Sequence, residues 1–331
     1  MHRHNNNNAA DGKGRAESYG RSALENACEA IVRAPNGAQN TTLHRECYAI
    51  GGLIAGGALD HGKAYARLCE AARRMPPYRD RWVGLERKIE ASVRRGIDTP
   101  WRPWEGPSGP WKPIERSTPQ APPSGKTTTA DALNVWGDAV DPRGTRAETY
   151  LAGRDLDLPD ELAVDVLRWL PPRGERVHAG ALSWKAPGGA LIALMRNILT
   201  DEPQSTKLTL LDADGCKIMR RNLGPVSGAA VKLDPDEAVL SGLHVSEGVE
   251  TGMAARQLGL RPTWALGDAG SIERLPVIGG VQCLTILAER CDQNARAVEA
   301  CAARWYDAGR EVLINRPIVW KDLNDALRAK R

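Results

Sequence analysis

The chain has 331 residues, 42% hydrophobic and 26% charged, which is typical of a soluble globular protein with two or three domains. The formal net charge of only +4 excludes a polycationic chain, so contacts with nucleic acid must come from local basic clusters. The seven cysteines include no Cys-x-x-Cys pair, which argues against a zinc ribbon, and scattered thiols fit a reducing cytoplasm. The sequence contains no run of 18 apolar residues, so it predicts no membrane-spanning helix.

The first third of the chain is predicted to be helical after a short tail. Residues 1–13 contain four consecutive asparagines and no apolar segment, and we expect them to be a disordered tail. Residues 14–98 repeat apolar side chains at helical spacing, which predicts a small helical bundle. Within it, the segment Tyr48–Asp60 is rich in glycines that would let another helix approach closely, namely Gly51, Gly52, Gly56 and Gly57.

Residues 99–128 are dense in Pro, Gly and Ser and are predicted to be a linker, because this composition sustains neither a helix nor a central strand. The stretch PSGKTTT within it is similar to the end of a phosphate-binding loop. That loop needs a glycine where Gln120 stands and a strand before it, so the segment does not predict an ATPase.

Residues 129–238 are predicted to form an α+β subdomain with a β core. Two short helical patterns come first, and strands follow. The segment TKLTLLDADGCKIMRRNLG predicts a β-hairpin whose turn is supplied by Asp and Gly in DADG. Lys217, Arg220 and Arg221 come just after this turn. They are either ligands for phosphate groups or the charged face of an ordinary strand.

Residues 239–331 alternate strand and helix, which predicts parallel strands joined by right-handed crossovers. Ligands of such sheets lie outside the carboxyl ends of the strands. Glu247 ends the first predicted strand, Glu289 ends the third, and Asp292 follows in the next loop. Three converging carboxylates would repel one another unless a divalent cation lay between them, and an all-oxygen ligand set suits Mg²⁺ or Mn²⁺.

Other roles are open for these acids. Asp292 would also suit the start of the helix that follows, where a carboxylate favours the positive end of the helix dipole. Asp322 and Asp325 in KDLNDAL are further candidates for the metal site, and a surface turn with a helix cap explains them equally well.

The segments SEGVET, PTWALGDAGSIERLP, LTILAE and KDLND together resemble a Toprim domain, the metal-dependent catalytic domain of bacterial-type primases, topoisomerases and some nucleases. The similarity is greatest to primase-like Toprim proteins of phages, plasmids and integrated mobile elements. It implies an α/β domain with a Rossmann-like parallel sheet and makes Glu247 the first acid of the site. Residues 129–238 resemble the region that precedes Toprim in those primases. There Lys217, Arg220 and Arg221 would face the cleft and bind phosphates.

The second acidic motif departs from the family pattern of Asp-x-Asp followed by Gly. Glu289 occupies the first acidic position, Cys291 stands at the second, and Asp292 lies one residue further. Asn294 is the residue nearest to the usual glycine. A shift of one residue turns a side chain to the other face of a strand, whereas a loop can restore its reach.

The resemblance implies a cytoplasmic, Mg²⁺- or Mn²⁺-dependent nucleotidyl transferase. It would make primers from nucleoside triphosphates on single-stranded DNA during mobile-element replication, with Glu247, Glu289 and Asp292 as catalytic and metal-binding residues. Because no helicase motor is visible, unwinding would need a separate replicative helicase. Two alternatives remain, a catalytically impaired Toprim protein that binds DNA as a replication accessory and a Toprim nuclease.

Overall fold

A computed structural model describes residues 7–34, 39–75, 82–103, 127–173, 176–239 and 242–329. Most of the predicted linker, residues 104–126, lies outside these ranges, as do residues 1–6 of the predicted tail.

The N-terminal part forms the predicted helices. They are α1 (Asn7–Arg33), α2 (Gln39–Ala55), α3 (His61–Arg73) and α4 (Trp82–Ile97). The predicted tail is wrong for residues 7–13, because α1 already begins at Asn7. No proline interrupts this segment, and Ala9 and Ala10 are strong helix formers. The helix therefore begins well before the first apolar residue of its pattern.

Helices α2 and α4 pack with their backbones in contact, as the glycine-rich segment predicts. A β-carbon built on Gly51 would lie 2.2 Å from the carbonyl oxygen of Val93, and one built on Gly96 would lie 2.0 Å from that of Tyr48. Only glycine fits at either position. The Tyr48 hydroxyl is buried at the same crossing, 2.7 Å from Oγ1 of Thr99.

The middle part contains α5 (Thr129–Gly137) and α6 (Arg146–Ala152), followed by strands and a 3₁₀ turn at Asp236–Ala238. The strands are β2 (Leu167–Leu170), β3 (Val177–Ala179), β4 (Leu182–Trp184), β5 (Ala190–Asn197), β6 (Pro203–Leu211), β7 (Lys217–Leu223) and β8 (Ala229–Lys232). The predicted hairpin is confirmed as β6 and β7. Its turn is stabilised by the Asp212 carboxylate, which accepts the backbone N–H of Cys216 at 2.8 Å.

The C-terminal part alternates strand and helix, as predicted. Its elements are β9 (Gly242–Ser246), α7 (Val249–Gln257), β10 (Thr263–Ala265), α8 (Ala269–Glu273), β11 (Cys283–Leu287), α9 (Asp292–Asp307), β12 (Glu311–Asn315) and α10 (Leu323–Arg328). Strand β9 pairs in parallel with β10 on one side and with β11 on the other, and β11 pairs in parallel with β12. The α/β architecture predicted for this part is confirmed.

One sheet runs through the middle and C-terminal parts. Antiparallel pairing of β8 with β10 joins them, with Lys232 opposite Trp264. Within the described residues the order is β12-β11-β9-β10-β8-β5-β6-β7, and β2 pairs with β5. The two predicted domains therefore share a continuous backbone hydrogen-bond ladder, which fixes the middle strands relative to the carboxyl ends of β9 and β11.

A further edge strand, β1 (Trp101–Pro103), pairs antiparallel with β12. The predicted linker is therefore wrong for these three residues, because an edge strand tolerates proline and the exclusion covered only central strands. Burial of Trp101, which is 3% exposed and whose ring packs edge-on against His244, holds the strand in place.

The apolar strands of the C-terminal part lie beneath helices on the sheet, so their interior positions are buried. Leu284 and Ile286 of β11 pack in one cluster with Val298 and Trp305 of α9. Among the described residues, no helix is both long and apolar enough to cross a membrane.

Candidate active site

Glu247 and Glu289 lie at the same edge of the sheet. Strands β9 and β11 are parallel neighbours with Ser246 opposite Leu287, so they end at the same level. Glu247 follows β9 directly and Glu289 comes two residues after β11. Neighbouring strands are about 4.8 Å apart, which brings these two residues, here called the acidic pair, to adjacent strand ends.

The side chain of Asn294 joins the two strand ends. Its Nδ2 donates to Oε2 of Glu247 at 3.0 Å, and its Oδ1 accepts the backbone N–H of Glu289 at 2.9 Å. Asn294 belongs to the first turn of α9 and has no exposed surface. Asn294 had no predicted role beyond its position nearest to the missing glycine.

The carboxyl group of Glu289 is in an unfavourable place for a negative charge. Its side chain is buried, and Glu247 and Asp322 add negative charge nearby. Burial, followed by the charges of Glu247 and Asp322, raises the pKa of Glu289 to about 7, against the opposing effect of Lys321 and Arg220. The acidic pair therefore carries an electrostatic cost that a bound cation would relieve.

The other predicted acids take different positions. Asp292 is the first residue of α9 and is exposed, and the N-cap of that helix is Cys291. The strongest negative charges on Glu289 come from Glu247 and Asp322 and not from Asp292. Asp322 also caps α10, since its carboxylate accepts the N–H of Asp325 at 2.9 Å. The helix cap is one of the two roles left open for Asp322, and it is compatible with a position near Glu289.

Lys217 and Arg220 both pair with a buried carboxylate, Glu250 of α7, which was not among the predicted site residues. Arg220 Nη2 lies 3.1 Å from Oε2 of Glu250, and Lys217 Nζ lies 3.6 Å from Oε1. The hydroxyl of Tyr150 donates to the same Oε1 at 2.9 Å. Burial alone would raise the pKa of Glu250, but Arg220 and Lys217 lower it to about 2.

The strand alternation of β7 separates Arg220 from Arg221. Successive side chains of a strand point to opposite faces, and the guanidinium of Arg221 lies over the ring of Trp184, 5.3 Å from its centroid. The structure therefore does not bring Arg221 together with Lys217 and Arg220 at Glu250.

A third cation at the site, Lys207, was missed by the sequence analysis. Lys207 lies on β6 and is buried, and its Nζ donates to the carbonyl oxygen of Gly267, just beyond the end of β10. Burial lowers the pKa of Lys207, and the positive charge of Arg220 lowers it further, while Asp268, Glu250 and Glu247 oppose the change. The apolar and threonine residues around Lys207 gave no signal, because its position at the site depends on the join between β8 and β10.

Comparison with known proteins identifies the C-terminal part. Residues 242–331 match the family described as the Toprim domain. Residues 242–331 are a Toprim domain. Residues 126–233 match a second family, described as a domain of unknown function (DUF7146). No curated protein sequence matches the chain. The predicted resemblance and fold class are confirmed.

Three solved primase structures are similar to the chain. A DNA primase domain from Pseudomonas aeruginosa has 18% identity and a TM-score of 0.43, over 57% of this chain and 69% of that one. The primase fragment of the bacteriophage T7 primase-helicase protein has 16% identity and a TM-score of 0.34, over 43% and 59%. The zinc-binding and RNA polymerase domains of Aquifex aeolicus primase have 12% identity and a TM-score of 0.43, over 61% and 57%. The match spans less than two thirds of the T7 and Aquifex chains.

The Toprim domain presents oxygen donors that suit a hard divalent cation. Two carboxylates at adjacent strand ends, one of them difficult to ionise, fit Mg²⁺ or Mn²⁺, which are commonly held by one or two protein carboxylates together with water and substrate phosphates. In the part of the chain that the structure describes, no group of three or more His, Cys, Asp or Glu side chains is arranged to hold a metal ion. The fit therefore rests on Glu247 and Glu289.

Proposed function

We propose that the protein is a primase-like nucleotidyl transferase, which uses Mg²⁺ or Mn²⁺ and nucleoside triphosphates to synthesise primers on single-stranded DNA. The observation that carries the proposal is the acidic pair at adjacent carboxyl ends of parallel strands in a Toprim domain. Following the resemblance, we also propose that the protein acts in the cytoplasm during mobile-element replication, beside a separate helicase.

In the proposed reaction Glu247 and Glu289 would hold the cation, and Asp292 would be an exposed acid at the start of α9. A bound divalent cation supplies charge neutralisation for phosphoryl transfer. Phosphoryl transfer depends mainly on positioning and on stabilisation of negative charge, so the remaining tasks belong to cationic side chains.

Two positively charged side chains of the middle part, Arg220 and Lys207, are placed to bind the phosphates. Arg220 forms an ion pair with Glu250 and also acts electrostatically on Glu289, so its guanidinium lies near both the buried carboxylate and the acidic pair. Lys207 reaches the same edge of the sheet beside Gly267. Both would draw the phosphates of a nucleotide toward Glu247 and Glu289, and Glu250 would keep Arg220 in place when no phosphate is bound.

The test is incorporation of labelled ribonucleotides on a single-stranded DNA template, with and without Mg²⁺. We expect Mg²⁺-dependent oligonucleotides from the wild type and their loss in Glu247→Gln, because the variant removes one anionic donor but keeps the size of the side chain. Glu161→Gln, the same substitution at a half-exposed glutamate that pairs with Arg256, is the matched control and should retain synthesis. Metal-dependent scission of DNA without synthesis would favour a nuclease.

The exposed position of Asp292 favours one alternative, a catalytically impaired accessory protein that binds DNA. This alternative predicts binding of single-stranded DNA that is unchanged by Mg²⁺ and by Glu247→Gln, with neither synthesis nor cleavage. That combination of results would overturn both enzymatic functions.

A further inference from the structure

Asn294 is a fully buried polar side chain whose two ends touch two different strand ends. A buried amide needs partners for both its N–H and its C=O group, because an unpaired polar group costs free energy. Here the partners are Oε2 of Glu247 at 3.0 Å and the backbone N–H of Glu289 at 2.9 Å. Both contacts belong to the acidic pair, so Asn294 connects the two residues that carry the proposed function.

The orientation of the amide follows from the chemistry of its partners. The backbone N–H of Glu289 can only donate, so it must face the carbonyl oxygen of Asn294. Because Oδ1 is already occupied by that N–H, the NH₂ group is left to donate to the carboxylate oxygen of Glu247. A reversed amide would place two donors together and two acceptors together. Asn294 thus satisfies a donor at one end and an acceptor at the other, which an apolar or a purely accepting side chain would not do.

The hydrogen bond to Oε2 fixes the orientation of the Glu247 carboxylate. It does so with a neutral group. An acid at position 294 would instead add a negative charge beside Glu247, where the carboxylates of the acidic pair already repel each other. The backbone bond ties the same side chain to the end of β11, so Glu247 is held in register with Glu289.

We propose that Asn294 is a positioning residue that holds the Glu247 carboxylate in a fixed orientation for a divalent cation at the acidic pair. This inference rests on the proposed function for its cation but concerns binding, which is measured without nucleotide or DNA. Hydrogen-bond partners of metal ligands typically change metal affinity by about 10- to 100-fold when they are removed, and we expect a loss in that range for Asn294→Ala.

The experiment is titration of the full chain with Mn²⁺, followed by the electron paramagnetic resonance signal of the free ion. Four proteins form a double-mutant cycle, namely the wild type, Asn294→Ala, Glu247→Gln and the double variant. Because Asn294 acts through Glu247, the double variant should bind Mn²⁺ no more weakly than Glu247→Gln alone. Asn294→Leu, which keeps the volume of the side chain, replaces Asn294→Ala if circular dichroism shows the alanine variant to be unfolded.

Asn197→Ala is the control for lost stability. The side-chain oxygen Oδ1 of Asn197 accepts the N–H groups of Leu199 and Thr200 in a turn at the end of β5, so the variant loses side-chain amide contacts that do not involve the acidic pair. Its Mn²⁺ affinity should equal that of the wild type, whatever its melting temperature.

Unchanged Mn²⁺ affinity in a folded Asn294 variant would overturn the inference, as would losses that simply add in the double variant. A wild type that does not bind Mn²⁺ would overturn it too, since there would be no cation for Glu247 to hold. Failure of the proposed function has a different signature, in which the wild type binds Mn²⁺ through Glu247 and Asn294 but incorporates no nucleotide.

Discussion

Glu250→Gln should destabilise the protein at neutral pH and lose that effect in acid. Glu250 is 4% exposed, and against the effect of burial the charges of Arg220 and Lys217, followed by hydrogen bonds from the Glu250 backbone and from Tyr150, lower its pKa from 4.5 to about 2. At about 1.4 kcal/mol for each pH unit, that difference corresponds to a contribution of about 3 kcal/mol to the free energy of unfolding. Glutamine keeps an acceptor for the Tyr150 hydroxyl but leaves two cations without their anion.

The contribution of Glu250 to the free energy of unfolding depends on pH. The pKa of Glu250 is lower in the folded state, so its contribution is fully present above about pH 4.5 and is lost as the pH falls toward about 2. The assay is urea unfolding of wild type and variant between pH 3 and 8, with comparison of the free energies of unfolding. We expect a difference of about 3 kcal/mol at pH 7 that narrows steadily in acid.

The control for this series is Glu161→Gln, because Glu161 forms an ion pair with Arg256 but its side chain is 55% exposed. An exposed pair contributes about 1 kcal/mol or less, so this variant should unfold close to the wild type at every pH. Equal free energies for wild type and Glu250→Gln at pH 7, or a difference that does not change with pH, would refute the account of the Glu250 cluster.

Three further predictions concern the acidic pair, the helical part and β7. Glu289→Gln should be more stable than the metal-free wild type above pH 7, by up to about 3 kcal/mol in thermal or urea unfolding. The pKa of Glu289 is about 7 in the folded state, above its ordinary value of 4.5, so the wild type loses stability as the pH rises through about 7. Gly51→Ala should lower the melting temperature, since the new methyl group would lie 2.2 Å from the Val93 carbonyl oxygen. Its control is Gly84→Ala, at an exposed position of α4 with open space around it, which should raise the melting temperature slightly. Arg220→Ala should reduce nucleotide incorporation more than Arg221→Ala, because only Arg220 faces Glu250 and Glu289; equal losses would contradict the assignment of the two faces.

The elements that local pattern defines were predicted from the sequence. The β6–β7 hairpin has its turn signal in DADG, and the strand–helix alternation of the Toprim domain predicts parallel pairing, which places Glu247 and Glu289 at one edge. Helix α7 ends at Gln257, two residues before Gly259, whose φ of +87° is typical of a glycine that follows a helix.

The missed features depend on contacts between distant segments. The face on which Arg221 lies is set by the pairing of β7 with β6, which contains an irregularity between Leu210 and Leu211, and sequence spacing alone does not fix that register. Glu250 becomes important only because β7 brings Arg220 to α7. Asn294 was visible solely as an unusual residue in the altered motif, since its two partners lie on different strands.

The most direct test of the account is the position of a cation in crystals of the full chain grown with Mn²⁺, located by its anomalous scattering. We expect an anomalous peak bound by carboxylate oxygens of Glu247 and Glu289, at about 2.0 to 2.4 Å, and no peak there in crystals of Glu247→Gln. Occupied Mn²⁺ sites elsewhere on the chain, with the acidic pair empty at saturating Mn²⁺, would contradict it.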